Sequence, residues 1–218
     1  MDYSNVLYKE AIEIEKQNRL NKKNEKDFQL TDKLRKELQD NLGVESNYLA
    51  DLTYKKILDD RCISILIKYI PLFQNKAISL DLIKQQFYRK GNKECSNFLE
   101  KWYYELNESN SLTDMIENIL DNAFVKIQDK DKVPFYLKLI SNPNKFPFVM
   151  EMLGRWNINE AKPIIINRLE KDNIKTSAIR SLGYYKDKET VPLIEKYLKS
   201  EFQGVREEAK KVIDRLNQ

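Results

Sequence analysis

Apolar residues near the end of the chain recur at a constant interval. Three segments align without gaps, at 133–140, 162–169 and 191–198, and the second position of each is a proline. We call the interval from Pro134 to Pro163, which equals that from Pro163 to Pro192, the repeat period. The apolar columns stay in phase with it. Proline is tolerated in the first turn of a helix, where its missing N–H would have no partner, so each segment is predicted to be a helix that begins near its proline.

The segments between these helices match at the same offset. Residues 150–154 align with residues 179–183, and each stretch ends in a glycine, Gly154 or Gly183. Each is predicted to be the end of a first helix, with the glycine as a C-cap or as a position of close helix packing. A fixed period of about 30 residues with two helices per unit is typical of a helical solenoid.

The stretch 178–194, A-I-R-S-L-G-Y-Y-K-D-K-E-T-V-P-L-I, resembles a HEAT repeat, in which A-x-x-A-L-G ends helix A and A-x-P-x-L begins helix B. It departs from that pattern at Ser181, which is polar. Residues 205–212 resemble one more A helix, offset by slightly more than the repeat period, so a longer loop is predicted around Phe202 and Gly204. The resemblance is to small bacterial HEAT-repeat proteins and is clearest over 132–218. It implies a right-handed α–α superhelix.

Earlier segments give weaker helical patterns. Helices are predicted over about 63–70, 79–89, 94–106 and 111–127, with Pro71 and Gly91 as stops. Within the range 1–60, Val6, Leu7, Ala11 and Ile12 predict one amphipathic helix, and residues 17–26 predict a polar loop. Leu30, Leu34, Leu38 and Leu42 predict a second helix, because a step of four keeps them on one stripe, and Gly43 is its expected C-cap.

Together these patterns predict an all-α fold. Residues 1–60 are expected to form an N-terminal helical cap, which solenoids need because an exposed end repeat is sticky. Residues 61–218 are expected to form a HEAT-like array of about four helix pairs with a final helix, in one continuous domain. The low content of turn formers, 5 glycines and 6 prolines, also favours helices over a β-rich fold.

Composition removes several kinds of chemistry. The chain has no histidine, which excludes Ser-His-Asp and Cys-His catalysis and every zinc site that contains histidine. Its glycines are too far apart for a phosphate-binding loop. Carboxylate pairs such as Asp129 and Asp131 are expected to cap turns or lie in solvent. The chain is therefore predicted not to be an enzyme and to use no cofactor.

Cysteine usage and hydropathy bear on location. Cys62 and Cys95 sit in apolar, helix-like segments and are predicted to be buried, reduced thiols. No apolar run approaches the length of a membrane span. A cytoplasmic protein with no membrane partner is the resulting expectation.

Binding is the remaining class of function, and the resemblance implies that the B helices line a concave face. The columns Lys138/Asn167/Lys196 and Ser141/Glu170/Lys199 would then form rows along a polar groove. A row of lysines favours an acidic or mixed-charge protein partner, because opposite charge raises the encounter rate. An ordinary solvated face is the alternative. The residues predicted to bind the partner are Trp102, Tyr103, Lys138, Asn167, Arg168, Lys196 and Lys199.

The aromatic run of residues 102–104 belongs to that prediction, since Trp and Tyr often anchor interfaces. A helix cannot bury three consecutive aromatic rings on one face, so one of Trp102, Tyr103 and Tyr104 is expected to be at least half-exposed.

Three functions remain open. The first is a non-catalytic protein-binding scaffold, by resemblance an immunity or adaptor protein. The second is nucleic-acid binding, as in HEAT-like alkylpurine DNA glycosylases, with Trp102, Trp156, Arg155 and Arg168 as candidate contacts. The net charge of +4 is low for a protein that binds duplex DNA. The third, a HEAT-like lyase that attaches a pigment, rests on family analogy alone.

Overall fold

A computed structural model describes residues 8–13, 15–17, 25–54, 60–74, 76–87, 90–109, 111, 113–170 and 174–218. Within these ranges the regular secondary structure is helical and no β-strand occurs, which confirms the all-α prediction. The α-helices are α1 Glu25–Leu42, α2 Leu49–Tyr54, α3 Ile63–Tyr69, α4 Lys76–Gln86, α5 Lys93–Glu108, α6 Asp114–Ile127, α7 Val133–Ser141, α8 Pro147–Arg155, α9 Ala161–Asn167, α10 Lys175–Tyr184, α11 Val191–Glu195 and α12 Gln203–Asn217. Short 3-10 helices lie at Asp60–Cys62, Ile70–Leu72, Lys130–Lys132, Lys188–Thr190 and Lys196–Lys199.

The chain divides into two compact units, residues 1–111 and residues 112–218. The predicted boundary between a cap and a repeat array, after residue 60, stays a prediction. Helix α3 lies beyond that boundary in sequence, yet it packs against α1 and α5 within the first unit. Hydrophobic burial accounts for this packing, because α3 has buried apolar residues on opposite sides, as at Ile63 and Ile65.

The N-terminal unit contains the predicted leucine stripe. Leu34 and Leu38 of α1 are fully buried, and Leu30 and Leu42 are half-buried at its ends. Gly43 has a left-handed backbone (φ +67°), and its N–H donates to the carbonyl of Gln39 at 2.8 Å, as expected of a C-cap.

Parts of the N-terminal prediction lie outside the described residues, namely Val6, Leu7 and positions 18–24 of the predicted polar loop. The ranges 8–13 and 15–17 are helical, so Gln17 belongs to a helix and not to that loop. Pro71 does not end its helix abruptly. The chain continues from α3 into the 3-10 helix Ile70–Leu72, because proline is acceptable in a first turn.

The C-terminal unit alternates helices of two kinds. The A helices are α6, α8, α10 and α12, and each packs against the next one in the series. The B helices are α7, α9 and α11, and α7 packs against α9. Pro134, Pro163 and Pro192 all lie in the first turn of a B helix, as predicted.

The backbone repeats with the period seen in the sequence. Gln128, Asn157 and Lys186 each follow an A helix, and each adopts a left-handed conformation with φ between 55° and 57°. Left-handed φ is uncommon outside glycine. Its return once in every repeat period shows that the A–B connections share one local geometry.

The two glycines at the ends of A helices are close-packing positions and not C-caps. A Cβ atom on Gly154 would lie 2.7 Å from the backbone oxygen of Ser181 on α10, and one on Gly183 would lie 2.7 Å from Cγ1 of Val212 on α12. Ser181, the polar departure from the HEAT pattern, is buried there, and its hydroxyl donates to the carbonyl of Ser177 at 2.6 Å. The hydroxyl is therefore satisfied within its own helix.

The final helix differs from the prediction at its start. Helix α12 begins at Gln203, so Gly204 lies in its first turn and not in the loop that precedes it. The buried residues of this helix include Val205, Ala209 and Val212. Their helical spacing stabilises the helix although it contains a glycine in its first turn.

Candidate functional site

The predicted columns of the B helices lie on the surface. Lys138 on α7, Asn167 on α9 and Lys196 in the 3-10 helix after α11 all reach solvent. Within the second column, Ser141, Glu170 and Lys199 are exposed as well. We call these six residues the B-helix row. Its members are polar side chains that a partner could reach without any unfolding.

Part of the charge in the row is already paired. The Lys196 ammonium donates to the Glu170 carboxylate, and the Tyr197 hydroxyl donates to the same carboxylate at 3.0 Å. The hydrogen bond from Lys196 lowers the pKa of Glu170, and the bond to Glu170 raises the pKa of Lys196. The row is therefore a surface of mixed charge in which Lys196 and Glu170 largely offset each other.

Arg168 does not belong to this surface. It is 4% exposed, and its guanidinium donates to the backbone oxygens of Ile140 and Asn142 at the end of α7. Burial lowers its pKa. The partial negative charge at a helix C-terminus compensates such a cation. The Arg168 donors are therefore turned into the protein, and contact with a partner stays a prediction that this arrangement does not favour.

Trp102 and Tyr103 are also interior residues. They are 2% and 6% exposed on α5, and the Trp102 ring stacks on Phe98 at a centroid distance of 6.0 Å. Tyr104 is half-exposed, which confirms that one of the three aromatic residues reaches solvent. Trp102 and Tyr103 are not available as surface anchors, since they fill the buried face of α5.

A second surface lies at the C-terminal ends of the A helices. The Lys130 ammonium is 5.7 Å from the ring centroid of Trp156, and the guanidinium carbons of Arg155 and Arg215 are 5.9 Å and 5.2 Å from the ring centroid of Tyr184. The three cations are exposed and the two rings are half-buried. We call these five residues the cation–aromatic ribbon.

The A-helix packing builds this ribbon. Arg155 ends α8, Tyr184 ends α10 and Arg215 lies in the last turn of α12, so helices packed side by side bring these residues together. The sequence analysis names Arg155 and Trp156 as candidate nucleic-acid contacts and does not group them with Arg215. The available signal was that Arg155 and Tyr184 are separated by one repeat period, because equivalent positions of adjacent repeats are neighbours.

The cations of the ribbon differ in their pairing from other basic residues of the C-terminal unit. Among the described residues, Lys130, Arg155 and Arg215 form no ion pair with a carboxylate. Other basic residues of the same unit do form such ion pairs. Nη1 of Arg180, for example, lies 2.9 Å from Oε1 of Glu151. A cation over an aromatic face gains about 0.5–1 kcal/mol at an exposed site. The ring contacts therefore position these cations and leave their charge uncompensated.

Within the described ranges, no three Cys, Asp or Glu side chains are placed to hold a metal ion. None of the helices there has the length and apolar character to cross a membrane. Cys62 and Cys95 are buried, as predicted. Asp129 caps its turn as predicted, since its carboxylate accepts from the N–H of Asp131 at 3.1 Å.

No protein-family model matches the chain, and a search of curated proteins finds no match to its sequence.

Proposed function

We propose that the protein is a non-catalytic scaffold that holds an acidic or mixed-charge protein partner along the B-helix row. The observation that carries this proposal is the exposure of Lys138, Asn167 and Lys196 at the same position of three successive B segments. Regular spacing gives a partner several polar contacts in fixed register, which favours specificity. A bacterial cytoplasmic immunity or adaptor protein is the role that the HEAT resemblance suggests.

The proposal includes a HEAT-like fold for the C-terminal unit, in which helix pairs form a right-handed superhelix. The serial packing of the A helices, the prolines that open the B helices and the recurrent left-handed residues support it. In such an array the B helices stand side by side, and equivalent side chains line one face. The row would then be a continuous strip and not three separate patches.

The chemistry of the row suggests how it would engage a partner. A carboxylate on the partner would contact Lys199 directly, and a second one would compete with Glu170 for Lys196. Neutral members, Ser141 and Asn167, supply both donors and acceptors of hydrogen bonds. A partner surface with acidic and amide side chains fits this strip better than a uniformly acidic one.

Charge reversal tests the proposal. Lys138→Glu with Lys199→Glu changes the row and leaves the Lys196–Glu170 pair in place. Lys33→Glu with Lys84→Glu is the matched control, because both lysines are in the N-terminal unit and reach solvent. We expect the row variant to capture at least about tenfold less partner protein from native-host extract than wild type does. The control should capture the same amount as wild type. Quantitative mass spectrometry measures the captured protein. Equal retention by both variants would place the site elsewhere.

The nucleic-acid alternative has less support. Two of its four candidate contacts, Trp102 and Arg168, are buried. Arg155 and Trp156 remain at the surface, both in the cation–aromatic ribbon. Nucleic-acid binding is therefore an outcome to be tested at that ribbon.

A further inference from the structure

The cation–aromatic ribbon is a surface apart from the B-helix row, and we propose that it binds an acidic segment of a protein. The segment would carry neighbouring Asp or Glu carboxylates that contact Arg155 and Arg215. The scaffold would then have two faces that engage anionic groups, one on the B helices and one at the ends of the A helices. This inference goes beyond the proposed function and stands on different residues.

The first support is the charge of the ribbon. Lys130, Arg155 and Arg215 are exposed cations without a carboxylate partner among the described residues, whereas Arg180, Lys162 and Lys145 of the same unit each pair with one or two. Three uncompensated cations at one edge create a positive potential that attracts an anionic ligand.

The second support is the way in which the arginines are held. The guanidinium groups of Arg155 and Arg215 lie against the same ring, that of Tyr184. Gly183 leaves the space that Arg215 occupies, since a Cβ atom there would collide with Nη2 of Arg215. A guanidinium held against a ring loses little side-chain freedom when it binds, and its planar fork matches a carboxylate in a bidentate contact.

Two features favour a peptide carboxylate over nucleic acid. The rings at this edge already carry cations, so a base would have to displace them before it could stack. Exposed carboxylates also flank the cations in sequence, Asp131 beside Lys130 and Asp214 beside Arg215, and they would repel a continuous line of phosphates. A short acidic segment can place its charges between them.

The competing explanation is structural. Basic residues near the C-terminus of a helix are stabilised by the helix dipole, and Arg155 and Arg215 occupy such positions. A purely structural role predicts that their loss lowers stability and that no acidic peptide binds. A binding role predicts a change in affinity that depends on the charge and shape of the side chain.

In the experiment, the full chain is titrated into labelled probes of about 12 residues or nucleotides at ~50 mM salt, and fluorescence anisotropy reports binding. The probes are an alternating Glu-Gly peptide, the matching Gln-Gly peptide and an oligothymidylate. The variants are Arg155→Gln with Arg215→Gln, the corresponding double lysine variant, and, as the matched control, Lys33→Gln with Lys84→Gln, two exposed lysines outside both proposed surfaces. Circular dichroism and melting temperature establish that each variant is folded.

We expect wild type to bind the Glu-Gly peptide and to bind the Gln-Gly peptide at least about tenfold more weakly. The glutamine variant should bind the Glu-Gly peptide about tenfold more weakly. The lysine variant should bind it about threefold more weakly, because lysine keeps the positive charge but lacks the planar guanidinium. The control should match wild type. The proposal is overturned if wild type does not bind the acidic peptide, if the glutamine variant binds it equally well, or if the oligothymidylate binds more tightly. The outcome of the capture assay on the B-helix row is independent of these results, because that assay changes different residues.

Discussion

Arg168 and Tyr197 occupy equivalent positions of successive repeats, and each donates a side-chain hydrogen bond to the C-terminal end of the preceding B helix. The Arg168 guanidinium bonds the carbonyls of Ile140 and Asn142, and the Tyr197 hydroxyl bonds the carbonyl of Leu169 at 2.9 Å. Ile140 and Leu169 are equivalent positions as well. Two different side chains thus satisfy the unpaired carbonyls that every helix leaves at its end.

The Tyr197 hydroxyl is expected to stabilise the C-terminal unit. Tyr197→Phe should lower the free energy of unfolding by about 1 kcal/mol, because the carbonyl of Leu169 and the Glu170 carboxylate both lose the hydroxyl that they share. Tyr184→Phe is the control, since that hydroxyl forms no hydrogen bond with any described residue. Urea denaturation measures both variants. Equal losses of stability would show that the Tyr197 bond adds nothing to the fold.

The ion triad of Glu151, Arg180 and Glu208 joins α8, α10 and α12. Nη1 of Arg180 is 2.9 Å from Glu151, and Nη2 is 3.1 Å from Glu208. Arg180→Met should cost about 1–2 kcal/mol at neutral pH, because two largely buried carboxylates then face each other. The triple variant, in which both glutamates are also changed to Gln, should recover most of this loss, because no carboxylates then face each other. Urea denaturation compares the variants, and a triple variant as unstable as Arg180→Met would argue against this electrostatic cause.

Asp121 makes the stability of the C-terminal unit depend on pH. Burial raises its pKa to about 7, against the lowering effect of the N–H groups of Phe148 and Val149 at the start of α8. Since the folded pKa is above the unfolded one, the folded state holds the proton more tightly. This contribution is complete below about pH 4 and is lost as the pH rises through about 7.

The comparison of wild type with Asp121→Asn isolates that effect. Relative to the asparagine variant, wild type should lose up to about 1.4 kcal/mol per pH unit between pH 4 and 7. Urea denaturation at intervals of pH measures the difference. A difference that stays constant, or that favours wild type as the pH rises, would show that Asp121 is ionised throughout.

Three glycines test the packing of the A helices. Gly154→Ala and Gly183→Ala should each destabilise the protein by about 1–3 kcal/mol, because the new methyl group meets α10 or α12. Gly154→Ala should cost more, since it meets backbone of Ser181 and not a movable side chain. Gly204→Ala is the control. No described atom lies within 4 Å of its Cβ position, and alanine favours the helix by about 0.5–1 kcal/mol. Melting temperatures in any other order would contradict the close packing.

The sequence predicted the C-terminal helices well because their apolar positions recur in register. The sequence also contains an indication that Arg168 is buried. Leu139, Arg168 and Tyr197 occupy one column, and all three are buried. An arginine in a column of apolar residues can be buried when carbonyls at the end of a helix accept hydrogen bonds from its guanidinium. The sequence analysis instead places Arg168 among the candidate binding residues.

Other features could not be predicted because they depend on packing between helices. The contact of Arg155 and Arg215 with Tyr184 joins three A helices, and no pattern within one helix specifies it. The burial of Trp102 and Tyr103 is a similar case, since the aromatic run alone did not identify which ring would reach solvent. The sequence of the N-terminal unit does not show the repeat period, so its division from the rest was not visible either.

The proposed function depends on successive B segments that stand side by side, so that the B-helix row is one strip. Spin labels on Ser141→Cys and Lys199→Cys test this arrangement by pulsed dipolar spectroscopy, because both positions are exposed whereas Cys62 and Cys95 are buried. With helices about 8–10 Å apart, two steps along the row predict one narrow distance of about 20 Å. A distance beyond about 35 Å, or a broad distribution, would contradict the row and the binding surface that depends on it.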